Sequence, residues 1–321
     1  MCLQLRNGGR RMEKRILVIG SIFTDFIMHI DRVPLANEVT TEYGPRETVA
    51  GGAGLNVAAA FSRLGADTVL CTRVGADTQG AALVRALTNF GIDKRFVSED
   101  RRGKSGFNAV MAESNGILRT ASYPGIAYDI TDNDAEEAMT CYPDAVYMSL
   151  ELSAKTIVAA ADMAEENGVP VFIEGAPADT RFPFSRLPRL EAFICNAEQT
   201  YTYTKIMPDT LDNCLRAALK LSGMVDAKHY IIKLGDRGCY TYDGTYQHIC
   251  PAQTVEIIDK RGAGEVFSAA VTLGYLESGD IEGAMRYANV ASAVAMCKIG
   301  KCSSYPTNAE IEKFLKEHEL S

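Results

Sequence analysis

Short apolar runs alternate with helical segments along most of the chain, and this alternation is the feature that most constrains its fold. The run "RILVIGSI" at 15–22 is almost continuously apolar, which is typical of a strand buried on both faces. The first two helical segments end at Gly65 and Gly91, a common way for a helix to stop. Alternating strands and helices need crossovers on both faces of a mostly parallel sheet. The sequence therefore predicts a three-layer α/β/α fold.

The predicted elements extend over most of the chain. Strands are predicted at 15–22, 67–75, 144–150, 169–174, 191–196 and 229–235. Helices are predicted at 53–65, 78–91, 154–167, 197–204, 210–222, 263–278, 281–298 and 307–318.

Two β-rich segments with polar faces do not fit the central sheet. They lie near 26–49 and 104–123, and the second reads as a hairpin whose turn contains Asn115-Gly116. We expect these segments to form a small β-rich lid over a cleft. We find no repeat or linker, so 12–321 is predicted to be one domain. The residues before it, 1–11, are predicted to be a disordered extension or the product of a misplaced start codon.

Composition and charge exclude several classes of partner. The net charge of −8 argues against a nucleic acid or an anionic membrane, although an anionic substrate stays open because a site can be locally basic. Nine cysteines without a C-x-x-C pair and four dispersed histidines give no zinc pattern and no disulfide framework. Buried or idle thiols in a reducing cytosol are the simplest interpretation, which predicts a cytoplasmic protein. No apolar run approaches the roughly 20 residues that span a bilayer.

Three glycine-rich turns stand at joints between strands and helices. They are "VAGGAGLNVA" (49–58), "KLGDRGCY" (233–240) and "DKRGAGEVFSAA" (259–270). None matches a P-loop, and none provides a dinucleotide fingerprint after the first strand. Taken singly, each turn is explained by the backbone freedom of glycine.

The third turn carries more information than the other two. Gly262, Ala263 and Gly264 have almost no side chains, so their N–H groups stand open at the start of an apolar helix and form an anion site. Glu265 follows in the first helical turn. It is either a carboxylate that complements the helix dipole, worth about 0.3–1 kcal/mol, or a base beside the anion site. The residues alone leave both interpretations open.

The order and spacing of these motifs resemble the ribokinase-like (PfkB) carbohydrate kinase family, from about residue 15 to residue 316. The resemblance implies the ribokinase-like version of the three-layer fold, with a small β-rich lid. The matching motifs, in order, are "GSIFTD" (20–25), "GGAGLN" (51–56), "RLGADTVLCTRVGADTQG" (63–80), "YPG" (123–125), "ICNAEQ" (194–199), "LGDRG" (234–238), "DKRGAGE" (259–265) and the closing helices from 288.

The resemblance implies phosphoryl transfer from ATP to a hydroxyl of a small sugar, with Mg²⁺ bridging the phosphates. Glu265 would deprotonate the acceptor hydroxyl, while the amides of Gly262, Ala263 and Gly264 stabilise the transferring phosphoryl group. The lid would close over the sugar, and a homodimer through the lid sheet is possible by the same analogy. The residues implied for the sugar are Asp25, Gly51, Gly52 and Asn56, and those implied for the nucleotide are Asn196, Lys233, Gly235, Gly238 and Asn289.

Several positions depart from the family pattern. Glu265 replaces the family's aspartate and has a stem one methylene longer. The family's N-x-x-E element begins at Asn196 and ends at Gln199, which carries no negative charge. Glu198 is one residue early and would point about 100° away on a helix. No protein ligand for the metal is assigned. The sequence therefore settles neither how Mg²⁺ is held nor whether Glu265 acts as the base.

Charged residues replace the two threonines of the family's signature turn. Lys260 and Arg261 follow Asp259 where many members hold a monovalent cation behind the loop. Either one side chain supplies a built-in cation, or Arg261 clamps phosphate oxygens, or both are solvated. In the sugar site, Phe23 packs on a sugar ring or belongs to the core. Ala53 stands where ribokinase, and kinases that act on sugar phosphates, commonly have lysine, and the missing cation disfavours a phosphorylated substrate.

Three functions remain open at this point. The first is an active kinase of a small sugar or sugar-like alcohol. The second is a pseudokinase that keeps the ligand cleft and works as a sensor of sugar or nucleotide, favoured by Gln199 and the altered base. The third keeps the kinase chemistry with a nucleoside as the acceptor.

Overall fold

A computed structural model describes residues 13–114 and 117–318 of the chain. The strands are β1 (Arg15–Ile19), β2 (Phe23–Ile30), β3 (Glu47–Gly51), β4 (Asp67–Gly75), β5 (Val97–Asp100), β6 (Gly106–Glu113), β7 (Leu118–Tyr123), β8 (Ala145–Ser149), β9 (Val171–Glu174), β10 (Leu190–Asn196), β11 (Ala227–Lys233), β12 (Cys239–Tyr242) and β13 (Gln247–Cys250). The α-helices are α1 (Ala53–Arg63), α2 (Thr78–Asn89), α3 (Asp132–Met139), α4 (Ala154–Glu166), α5 (Ala197–Thr204), α6 (Leu211–Ser222), α7 (Ala263–Ser278), α8 (Ile281–Met296) and α9 (Asn308–Glu317).

The central sheet has nine strands in the order β13-β12-β11-β10-β9-β8-β1-β4-β5. Its pairs are parallel from β11 to β5, whereas β12 and β13 add an antiparallel edge. Helical crossovers connect several of the parallel strands, as the alternating sequence requires. The strands β8 to β11 therefore end side by side at one edge of the sheet.

Helices cover both faces of this sheet, as the buried side chains of β1 show. Ile16 and Val18 point into a core shared with α1, α7 and α8, whereas Leu17 and Ile19 point into a second core shared with α3, α4 and α6. Successive side chains of a strand point to opposite faces, so an apolar run of this kind needs a core on each side. The predicted three-layer α/β/α fold is confirmed.

A separate four-stranded sheet has the order β3-β2-β6-β7 and corresponds to the predicted β-rich lid. The pairs β3–β2 and β6–β7 are antiparallel, and β2 runs parallel to β6. The antiparallel pair β6–β7 agrees with the predicted hairpin. Its Asn115-Gly116 turn lies outside the described residues, as does the predicted extension at 1–11.

The prediction from local sequence patterns missed some helices and strands and made others too long. Helix α3 was not predicted because only Ala135 and Ala138 of its side chains are buried, which leaves little apolar periodicity. The short edge strands β5 and β13 were also missed, as was β12, which lies next to β13. In the first lid segment, the strands β2 and β3 leave most of 31–46 without regular structure, and α8 ends two residues before the predicted 298.

Two further features of the described chain agree with the composition. Its cysteines are free thiols, and most of them are buried. Across 13–114 and 117–318, none of the helices has both the length and the apolar character that a membrane span requires.

Candidate active site

Four neighbouring strands end in polar residues at the same edge of the central sheet. Ser149, Glu174, Asn196 and Lys233 are the last residues of β8, β9, β10 and β11. All four line one cavity of about 370 Å³. The carboxyl ends of parallel strands are where α/β sheets place their ligands, so this edge is the expected position of an active site.

The glycine turn of the sequence "RGAGE" closes the cavity from the side of α7. Gly262 caps this helix with a φ of 83°, in the left-handed region that favours glycine. A Cβ on Gly262 would lie 2.4 Å from Cε1 of the buried Tyr305, so a side chain has no space there. No side chain caps the helix, and Gly264 lines the cavity. The N–H of Ala263 makes a long contact of 3.4 Å to the carbonyl of Lys260, so among the three predicted amides this one is already engaged within the turn.

Glu265 lines the same cavity from the first turn of α7. Its side chain is 31% exposed, and its Oε1 lies 3.7 Å from Nζ of Lys301. A carboxylate that faces a cavity beside open helix amides is placed to take a proton from a bound hydroxyl. The same position also complements the dipole of α7, so the two interpretations coexist in the geometry.

Glu174 and Lys233 form an ion pair inside the cavity. Their Oε1 and Nζ atoms are 2.6 Å apart, and the side chains are 13% and 16% exposed. The hydroxyl of Tyr147 donates to Oε2 of Glu174 over 3.0 Å. Burial and the Glu174 charge raise the pKa of Tyr147 well above its usual value, so its phenol stays a donor.

Asp25 and Asn56, two of the residues predicted to bind the sugar, make polar contacts with other side chains. Asp25 of β2 accepts a 2.8 Å hydrogen bond from Asn108 of β6, and a Cβ on Gly51 would lie 2.1 Å from Oδ2 of Asp25. Gly52 caps α1, and Oδ1 of the buried Asn56 accepts from the thiol of Cys302 over 3.5 Å.

The pKa of the Cys302 thiol depends on its burial and on nearby charges. Burial raises its pKa to about 11, and the charges of both Glu265 and Asp25 act in the same direction. The charges of both carboxylates therefore act on the same thiol.

Glu151 is a buried carboxylate that joins three elements near this site. It accepts from the backbone N–H and the hydroxyl of Ser21, both over 2.8 Å, and from the N–H of Gly54. Burial raises the pKa of Glu151 although these hydrogen bonds oppose the rise. Glu151 therefore fixes the end of β1 against the start of α1.

The two cations before the glycine turn have different surroundings. Arg261 makes a fork of hydrogen bonds to Asp259, with Nη2 2.8 Å from Oδ2, and Lys260 is exposed. Burial alone would raise the pKa of Asp259, but hydrogen bonds from Arg261 and from the N–H of Gly300 lower it. The carboxylate of Asp259 is therefore bound by the guanidinium of Arg261, which belongs to the same turn.

Gln199 has a structural role at the end of β10. Its Oε1 accepts from the N–H of Asn196, and Oδ1 of Asn196 accepts from the N–H of Gln199, both over 2.8 Å. This capping box starts α5, and Glu198 on the same turn is exposed. The helix start is kept without a negative charge at 199.

The remaining predicted nucleotide residues divide into two groups. Gly235 lines the cavity. Gly238 and Asn289 are not among the lining residues, and Nδ2 of Asn289 donates to the carbonyls of Cys250 and Pro251. Asn289 thus ties the end of β13 to α8.

The donor set of the cavity fits a magnesium ion carried by phosphates better than one held in a protein cage. Glu174 and Glu265 are the carboxylates on its wall, and within the described residues no three acidic, cysteine or histidine side chains group together to hold a metal. Mg²⁺ keeps several waters and is usually bound through one or two carboxylates plus substrate phosphates.

Comparison with known proteins decides which family this geometry belongs to. The model of the pfkB family carbohydrate kinases matches residues 13–308. The chain belongs to the pfkB family of carbohydrate kinases. The resemblance inferred from motif order is thereby confirmed, and the sugar-kinase interpretation is confirmed with it.

Individual relatives agree with this family. A ribokinase of Bacillus subtilis is 29% identical over 311 residues, covering 94% of this chain and 99% of its own. A deoxyribokinase of Salmonella typhi is 27% identical over 309 residues, covering 95% and 99%. The solved structure of Arabidopsis thaliana ribokinase with ribose and ATP is 24% identical, with a TM-score of 0.83 over 95% of this chain and 99% of the other. That likeness shows the shared fold.

Sequence reasoning missed several side chains of this pfkB-family site. They are Tyr147, Glu174 and Ser268 around Lys233, together with Asn108 beside Asp25, Glu151 beside Gly54 and Lys301 beside Glu265. A usable signal existed for Glu174, because it ends the predicted strand 169–174 in the same way that Asn196 and Lys233 end theirs. For Asn108, Ser268 and Lys301 no local signal was available.

Proposed function

We propose that the protein transfers the γ-phosphoryl group of ATP to a hydroxyl of a small sugar, with a pentose as the first candidate. The observation that carries this proposal is the common cavity of Glu265, Gly264 and Lys233 at the carboxyl ends of β8 to β11. The ribokinase and deoxyribokinase relatives, which align over nearly all of both chains, support a pentose.

In the proposed reaction Glu265 accepts the proton of the sugar hydroxyl. The hydroxyl oxygen forms a bond to the γ-phosphorus, and the bond from that phosphorus to the bridging oxygen of ADP breaks. The first-turn amides of α7 stabilise the charge on the phosphoryl oxygens, which is the main contribution a protein can make to this chemistry.

The remaining site residues bind the two substrates in this proposal. Asp25, which accepts a hydrogen bond from Asn108, and Asn56 bind sugar hydroxyls, while Asn196 and Gly235 lie along the nucleotide. Mg²⁺ would neutralise charge on the phosphates when bound, and the negative charges of the cavity carboxylates Glu174 and Glu265 would favour its binding.

A substrate panel tests this function against the alternatives. ADP release and product mass would be measured with ATP and Mg²⁺ for ribose, 2-deoxyribose, fructose, ribose 5-phosphate and adenosine. We expect one free pentose to give the highest kcat/KM. Preference for adenosine would support a nucleoside kinase. A sugar that raises the melting temperature without turnover would support the sensor, and absence of both effects would overturn the proposal.

We also propose that the guanidinium of Arg261 takes the place of a monovalent cation at Asp259. The support is the fork of hydrogen bonds between the two side chains, which satisfies the carboxylate. We expect the same rate in potassium chloride as in tetramethylammonium chloride, and potassium stimulation in Arg261→Thr, where the carboxylate is freed. Steep potassium dependence of the wild type would contradict this role.

A further inference from the structure

We propose that Lys233 is the fixed cation that contacts the transferring phosphoryl group, and that Glu174 is the residue that positions it. The inference rests on the proposed function and assigns a role to Glu174, Ser268 and Tyr147 that no sequence motif indicated. It concerns the part of the cavity between Lys233 and Gly264, where the proposed function places the phosphates. Gln199 also lines this cavity and lacks the negative charge of the family's glutamate.

The ammonium of Lys233 is held by a closed set of hydrogen bonds. Its Nζ donates to Oε1 of Glu174 over 2.6 Å and to the hydroxyl of Ser268 over 3.1 Å. The hydroxyl of Ser268 donates in turn to Oε2 of Glu174 over 2.7 Å. With Tyr147 also donating to Oε2, both carboxylate oxygens are engaged and the ammonium has one fixed position.

This position is next to the anion site of α7. Nζ lies 3.4 Å from the carbonyl oxygen of Gly264 and would lie 3.6 Å from a Cβ on that residue. An ammonium has three donors, and two are well satisfied by Glu174 and Ser268. The third makes only the long contact to Gly264, so it is available to a phosphate oxygen bound at the first-turn amides.

Lys233 is the only lysine or arginine among the described residues that line this cavity. Arg261 is engaged by Asp259, Lys260 is exposed, and Lys301 lies at Glu265. A polyphosphate entering the cavity therefore meets one ammonium on the described cavity wall itself, and the low exposure of the pair limits screening by water.

The purely structural alternative is that the pair only fastens α7 to the sheet. Removing one member of a buried pair leaves the other charge uncompensated, which destabilises a protein whatever its function. The two roles differ in what they predict for ligands. A fastening pair affects all nucleotides alike, whereas a phosphate contact discriminates by the number of phosphates.

The test is calorimetric titration of AMP, ADP and the non-hydrolysable analogue AMP-PNP, each with Mg²⁺. We expect Lys233→Met to weaken AMP-PNP by about 10- to 100-fold, the size of one charge-assisted hydrogen bond, and to leave AMP unchanged. Glu174→Gln should cause a smaller loss of the same kind. Lys228→Met is the matched control, because Lys228 lies on the same strand and pairs with Glu191 over 2.9 Å, outside the cavity lining.

The double variant Glu174→Gln with Lys233→Met removes both charges and keeps the test valid if a single variant unfolds. Equal losses for AMP and AMP-PNP, or unchanged AMP-PNP affinity in a folded variant, would overturn the role of Lys233. A wild-type protein that binds AMP-PNP and phosphorylates a sugar would leave the proposed function intact in that case. A wild type that binds no nucleotide would overturn both.

Discussion

Glu265→Gln is expected to lower kcat by about 10²- to 10⁴-fold, which is the contribution of a positioned general base. The change keeps the shape of the side chain and removes its ability to accept a proton. The KM values for ATP and sugar should change little, because the amide still fits beside the start of α7. The measurement is steady-state ADP release together with the melting temperature.

A matched control separates the base from a helix-dipole effect. Glu282 lies in the first turn of α8, as Glu265 lies in the first turn of α7. Glu282→Gln should lose a similar dipole contribution of about 0.3–1 kcal/mol and keep full activity. Unchanged turnover in Glu265→Gln would eliminate the base assignment. Glu265→Asp tests the extra methylene, and we expect it to cost about 10²-fold if the backbone is built for glutamate.

Gly51→Ala is expected to lower kcat/KM for the sugar by about 10²-fold, since a displacement of catalytic geometry by about 1 Å has that size of effect. A Cβ at this position would lie 2.1 Å from Oδ2 of Asp25, so the carboxylate must turn away from Asn108. The KM for ATP should stay constant. Thr48→Ala on the same strand is the control, because Thr48 is exposed.

A double-mutant cycle shows whether this effect passes through Asp25. If Gly51→Ala acts only by displacing that carboxylate, adding it to Asp25→Asn should cost little more than Asp25→Asn alone. Full additivity of the two changes would mean that the glycine acts in another way. The melting temperature of each variant checks that β2 and β3 still pair.

The sequence predicted the glycine turn at the start of α7 because that turn is local. Gly262, Ala263 and Gly264 are consecutive, and their conformation follows from the absence of side chains and from the helix that begins there. Gln199 shows the limit of such reasoning. Its loss of charge is visible in the sequence, whereas its hydrogen bond to the N–H of Asn196 explains why the helix start survives.

The pair of Glu174 and Lys233 could not be predicted in the same way. Its members are 59 residues apart, and Ser268 is 94 residues from Glu174. Their contact depends on the strand order β9-β10-β11 and on the packing of α7, which local periodicity does not encode.

The sequence by itself determined the layered fold, the glycine turn and the carboxylate behind it, because strand burial, helix period and turn chemistry act between near neighbours in the chain. Only the tertiary structure decided which partners these side chains have. Glu174 forms an ion pair with Lys233, Asp259 forms one with Arg261, and Asn289 donates a hydrogen bond to the carbonyl of Cys250 at the end of β13. The reason is physical: the partner of a charge is chosen by distance in space, and that distance is fixed only when the sheet and its helices have packed.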